Sequence, residues 1–210
     1  MITMVGIVHG FAQYQLSNGG FENWSGSATS VPSGWHTFSD AQCELWMGCS
    51  MAKGNHHERA AGHEGGNSCC IYSKEVGLLG INHLANGNFT TGQIYIGSST
   101  ASDQTQNYNR SVSGYREPFT GYPDSLRFWA SFYATGANEK ARLSAIIHNS
   151  EEMRDPVPSS FQNRVVATME KAFTRTTSTS SSAGTSWQQP VPRRRWRSVH
   201  RRCWPSACVR

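Results

Sequence analysis

Three observations on the sequence predict an all-β protein. Short runs rich in aromatic and β-branched residues recur between clusters of Gly, Asn, Ser and Pro. No stretch before Phe161 carries an apolar stripe at helical spacing. The clearest period-2 alternation lies in residues 125–133. It places Leu126, Phe128, Ala130 and Phe132 on one side and Arg127, Trp129, Ser131 and Tyr133 on the other. At 210 residues the chain is long enough for one domain with its own core and too short for two. Two facing layers of strands, a β-sandwich, are the expected architecture.

Each expected element has its own reason. Over residues 15–24, Gly19 and Gly20 permit a bend, after which Phe21 and Asn23 point to one face of a strand and Glu22 and Trp24 to the other. The turn Pro32-Ser33-Gly34 then delivers Trp35 onto a strand over 34–38. Further strands are expected at 44–47, 68–73 and 92–96, with Asn86-Gly87-Asn88 as a turn ahead of the last. Strand 125–133 is expected to form a hairpin with 140–148 through the polar turn 135–139. In 140–148, Ala141, Leu143, Ala145 and Ile147 alternate with Arg142, Ser144, Ile146 and His148. Residues 165–173 read as a short helix or as the next strand.

The ends of the chain differ from its body. Residues 1–13 are mostly apolar and finish His9-Gly10-Phe11-Ala12-Gln13, resembling the end of a secretory signal without its cationic start. The expected location is therefore outside the cytoplasm: secreted, periplasmic or on the cell surface. Nothing later is long and apolar enough to predict a membrane span. The chain carries 19 basic and 14 acidic residues, but eight of the arginines, and no acid, fall after Phe173. Residues 1–173 thus hold 11 basic and 14 acidic groups, so the high pI is no argument that the fold binds nucleic acid. Residues 174–210 combine a Ser/Thr run with Arg, Pro, Trp and Cys in no structural period. They read as a disordered basic tail or as text out of the reading frame.

Four motifs carry a resemblance. The first joins Gly20-Phe21-Glu22-Asn23-Trp24 to Pro32-Ser33-Gly34-Trp35, and it is followed by residues 85–94, by 122–129 and by Ala145-Ile146-Ile147-His148. In this order they resemble the carbohydrate metabolism domain family of secreted bacterial proteins, over roughly residues 14–173. The resemblance implies a jelly-roll β-sandwich of the galactose-binding or carbohydrate-binding-module kind, incomplete at its C-terminus, and a poly- or oligosaccharide partner. It also implies that Glu22 would help ligate a structural Ca²⁺, together with an Asp on a closing strand. No acid follows Glu170, which leaves that site half-built.

The chemistry of sugar recognition selects the candidate residues. Flat C–H patches stack on aromatic faces, and ring hydroxyls take planar partners such as Arg and Asn. Trp129, Tyr133 and Arg127 share one predicted outward face and supply that set. Trp35 and Trp46 are runners-up beside turns, with core packing the competing role for Trp35. The run from His56 to Cys70 holds three imidazoles, two carboxylates and two thiols, yet lacks the spacing of a helical zinc motif and reads as a solvated loop. Cys43 and Cys49 are close enough for a short bridge, while Cys69 and Cys70 would project to opposite sides of a strand. Pairs such as Glu22 with Asp124 or Asp155 leave a glycoside hydrolase open as the alternative, and a structural adhesin domain as a third. No nucleophile elbow, phosphate loop or dinucleotide fingerprint is present in the sequence.

Overall fold

A computed structural model describes residues 16–26, 30–43, 53–54, 56–62, 65–78, 81–96, 106–109, 114–120, 123, 125–126, 128–134, 136, 138–174, 181–182, 185–186 and 204–209. Their strands in chain order are β1 His36–Thr37, β2 Gln42–Cys43, β3 His57–Ala61, β4 Asn67–Ile71, β5 Lys74–Leu78, β6 Ile81–Ala85, β7 Phe89–Thr90, β8 Gln93–Ile96 and β9 Gln106–Asn109. They continue with β10 Ser125–Leu126, β11 Trp129–Ala130, β12 Lys140–His148, β13 Met153–Asp155, β14 Val165–Thr174, β15 Ser181–Ser182, β16 Thr185–Ser186 and β17 Trp204–Val209. Helical structure among the described residues amounts to the short 3-10 segments Phe38–Asp40 and Ser159–Arg164 and a 3-10 residue at Gly65. The fold is β-rich with almost no helix, as the alternation predicts. The strand expected at 44–47, the Cys49 end of a bridge to Cys43 and the signal-like residues 1–13 lie outside the described residues.

A five-stranded sheet has the order β1-β7-β17-β12-β14, and a four-stranded sheet the order β13-β9-β8-β2. Every pairing in them is antiparallel except that of β2 with β8. Two hairpins, β3-β4 and β5-β6, form separate ribbons. β17 comes from a segment whose composition announces no strand, and it lies between β7 and β12.

The nine residues of β12 organise the larger sheet. On one face Leu143 and Ala145 join Met169 and Phe173 of β14, and Leu126, Phe128, Ala130 and Phe132 pack down on them. Ile147 continues that face with Phe119 and Ala167. The opposite face is buried as well, at Ser144, Ile146 and His148. There Arg142 of β12 reaches Asp155 of β13 at 2.6 Å, tying the two sheets together. A fully covered Leu, Met or Phe side chain contributes roughly 1.5–3 kcal/mol, so this strand is the densest source of stability described.

The N-terminal motif is a second packing centre. Trp35 stacks on Phe89 with ring centroids 4.4 Å apart and planes 4° from parallel. Phe21 meets both rings edge-on at 5.2 Å. Asn18 organises the loop above them: its Nδ2 donates to the carbonyls of Asn23 and Ser33, and its Oδ1 accepts from Asn23 N. The indole N–H of Trp35 points at the carbonyls of Ser17 and Asn18. The predicted Pro-x-Gly turn is present, with Trp35 N donating to Pro32 O and Gly34 at φ 82°. The bend itself uses other residues than expected, since Asn18 and Phe21, not Gly19 and Gly20, take positive φ. A left-handed Phe costs about 1–2 kcal/mol, and its ring contacts with Trp35 and Phe89 offset that cost.

Four expectations are corrected. Of the strand expected at 15–24, residues 16–24 form a turn and an irregular segment with one bridge, Trp24 to Pro32, because Asn18 satisfies the backbone that a strand partner would otherwise meet. Segment 125–133 does not pair with β12. Its short strands β10 and β11 pair with β16 and β15, and its apolar side lies across the face of β12, whose two edges are taken by β14 and β17. Residues 57–61 belong to no solvated loop but to β3, which forms a hairpin with β4 on the strand expected at 68–73, and Cys69 and Ile71 lie against the Trp35 and Phe89 rings. Asn86-Gly87-Asn88 is a close backbone approach rather than a free turn, with Gly87 and Asn88 buried: a Cβ on Gly87 would stand 2.7 Å from Tyr72 O and 2.8 Å from Tyr72 N. Of the two readings offered for 165–173, the strand is correct.

Trp35→Ala removes the central plate of the aromatic stack and is expected to lower stability by about 3–5 kcal/mol. Urea unfolding followed by tryptophan fluorescence and far-UV circular dichroism checks the value.

Candidate functional site

Alternation along the segment that crosses β12 sets up the exposed aromatic pair. Phe128, Ala130 and Phe132 are drawn into the core, where Phe128 meets Phe173 edge-on at 6.1 Å. The residues between them must therefore face away from the core. Trp129 is 53% exposed and Tyr133 85%. Four residues of extended chain separate their backbones by about 13 Å, enough for two platforms under one oligomeric ligand. Arg127, the third member expected on this face, lies outside the described residues, as do Trp46 and Asp124.

The other candidates read from the sequence have structural roles. Trp35 is only 5% exposed with its face covered by Phe89, which corrects its candidacy as a ligand platform. Glu22 is exposed, and its two oxygens accept from the backbone N–H and side-chain amide of Asn67 at 2.8 and 2.7 Å, pinning the N-terminal loop to the hairpin β3-β4. Among the described residues no three His, Cys, Asp or Glu side chains come together as a metal site. Asp155 is engaged by Arg142, and the buried Glu117 accepts from the backbone N–H and hydroxyl of Ser17.

The histidine and cysteine run is likewise absorbed into packing. His56 and His57 are fully buried, His56 against the Phe38 ring and His57 with its Nε2 at 3.2 Å from Ser30 O. Cys69 and Cys70 are both free, on opposite sides of β4 as expected. Burial, assisted by the neighbouring Cys70, pushes the Cys69 thiol up to about 12, so it is no thiolate nucleophile at neutral pH.

Two features escaped the sequence. A groove of about 350 Å³ lies where Ser73, Asn86 and Gly87 face Lys140 and Arg142 of β12 and Glu170 of β14. Its polar floor follows from the register, which sets Arg142 opposite Ala172 and Ser144 opposite Glu170, with Arg142 bonded to Glu170 at 3.0 Å. The second is the guanidinium of Arg154, on β13, which lies 4.6 Å from the Tyr108 ring centroid and 5.5 Å from that of Phe161. Pairing of β13 with β9 brings Arg154 opposite Tyr108, and the 3-10 segment brings Phe161. The strand pairing could not be read from a three-residue run.

Compared with known protein families, curated proteins and solved structures, the chain matches none. No helix among the described residues is long and apolar enough to cross a membrane.

His148, on the opposite face of β12, gives the fold a measurable pH response. Burial, with a further push from the Arg164 charge, lowers its imidazole to about 4 despite the opposing backbone groups of Asn149 and Glu151. The unfolded chain, titrating near the ordinary 6.5, takes up a proton between pH 6.5 and 4 that the folded chain refuses. Its contribution is fully present above pH 6.5 and declines as pH falls through that window, by about 3 kcal/mol at pH 4. Urea midpoints measured from pH 7 to pH 4 are expected to fall accordingly, and His148→Leu to flatten the profile.

Proposed function

We propose that the protein recognises glycans without catalysis, as a jelly-roll β-sandwich exported by a bacterium for polysaccharide capture or surface adhesion. The observation that carries this reading is the pair Trp129 and Tyr133. Both are large, both are exposed, and both stand on a segment whose alternate side chains are anchored in the core. Anchoring matters because a platform already held in place loses little freedom when a ligand arrives. Apolar C–H faces of pyranose rings stack on such platforms, and exposed apolar surface of this kind marks interaction sites.

The two larger sheets and their mostly antiparallel pairings support the sandwich part of the proposal, and the four sequence motifs support the jelly-roll part. Arg127, adjacent in sequence to the aromatic pair, is assigned the orienting hydrogen bonds. Glu22 remains the residue assigned to a calcium ion in this scheme, and its bonds to Asn67 would have to give way to it.

A glycan array followed by calorimetric titration of the best ligand tests the reading. Trp129→Ala and Tyr133→Ala are each expected to weaken binding about tenfold or more, with the far-UV circular dichroism of the folded protein retained. A blank array at millimolar concentrations would establish the structural adhesin instead. Turnover of a bound oligosaccharide, abolished by replacing an acid, would establish the hydrolase.

A further inference from the structure

Arg154 is set apart from the other cations of the described residues by a guanidinium Nε that is buried without an acceptor. Asp155, its neighbour in sequence, is committed to Arg142 at 2.6 Å across the two sheets. Glu151 is committed to Arg164 at 3.1 Å, and the Arg164 guanidinium also lies 3.8 Å from the Phe161 ring centroid and donates to Glu152 O. Arg154 makes neither an ion pair nor a hydrogen bond with the described residues. Its Nε is buried with no acceptor, and its contacts are with the rings of Tyr108 and Phe161.

Such a group has an unmet requirement. A buried N–H without an acceptor costs about 1–3 kcal/mol, more when it belongs to a charged group. Rings against the guanidinium stabilise its charge and restrict its rotamers. They leave the two Nη groups, which are not among the buried unpartnered atoms, as the part of the fork that a ligand can reach. That part matches two oxygens of one anion. We infer that Arg154, clamped by Tyr108 and Phe161, is a recognition site for an oxyanion, taken in bidentate fashion as a carboxylate or phosphate group. The adjacent Arg164 is neutralised by Glu151, so among the described residues the local charge left for a ligand to meet is that of Arg154. The site stands apart from the Trp129 and Tyr133 platform in residues and in chemistry, and it stands or falls independently of glycan binding.

The test follows the Arg154 Nε–H resonance of the ¹⁵N-labelled full chain during titration with sodium glucuronate, sodium acetate and inorganic phosphate, with glucose as the uncharged control. A saturable shift with at least one anion and none with glucose is expected. Equal response to acetate and glucuronate identifies a bare carboxylate as sufficient, a stronger response to glucuronate identifies a sugar acid, and a stronger response to phosphate identifies a phosphoryl group. Arg154→Lys keeps the charge but loses the fork, and should weaken the anion about tenfold. Phe161→Leu keeps the arginine but opens the clamp, and should weaken it as well. Absence of any saturable shift in the wild type overturns the site without recourse to a variant. Undiminished affinity in folded Arg154→Lys overturns the bidentate assignment.

Discussion

The demand that organises this protein is that β12 be covered on both faces. Leu143, Ala145 and Ile147 need an apolar layer on one side, and Ser144, Ile146 and His148 are closed off on the other. A strand buried twice over cannot sit at the margin of a fold, and its long ladder with β14 makes it the spine to which other segments are fitted. The charge near its start, Arg142, is tolerated because Asp155 meets it. Without Arg142, Asp155 would be a carboxylate buried with its charge uncompensated, whereas Arg142 would keep its second bond, to Glu170.

The same demand explains why the exposed aromatics are where they are. The layer over β12 is not a helix or a full sheet but an extended segment with every second side chain driven downward. Trp129 and Tyr133 face outward as the geometrical complement of that anchoring. The N-terminal aromatics have the opposite fate. Trp35, Phe21 and Phe89 close on one another and leave no ring face for a visitor. A tryptophan beside a turn is thus ambiguous in sequence, and what separates the two cases is whether a partner ring from a distant segment arrives.

Period-2 patterning makes β12 readable to the residue, and it sorts Leu126, Phe128, Ala130 and Phe132 from Trp129 and Tyr133 correctly. It cannot say which edges pair. A hairpin between 125–133 and β12 is reasonable from proximity and turn composition, but face-on packing buries the same side chains equally well, and only the competition of β14 and β17 for the edges decides. Strand β3, the partner of the expected β4, is hidden for a different reason. The histidines and cysteines of this region look polar and reactive when read one after another, whereas against Phe38, Trp35 and Phe89 they behave as packing groups. Arg154 is invisible in sequence because its surroundings come from β9 and the 3-10 segment, neither of which has a pattern long enough to place.

Insertion of β17 between β7 and β12 bears on the order in which the sheet can assemble. A chain leaving the ribosome presents both flanking strands well before the one that fills the space between them. Throughout that interval two open edges face each other with their amides and carbonyls unmet, and a stray strand from a neighbouring nascent chain could occupy the gap first. The sheet can therefore close at its middle only after residues 204–209 have been made, the last of its strands to leave the ribosome.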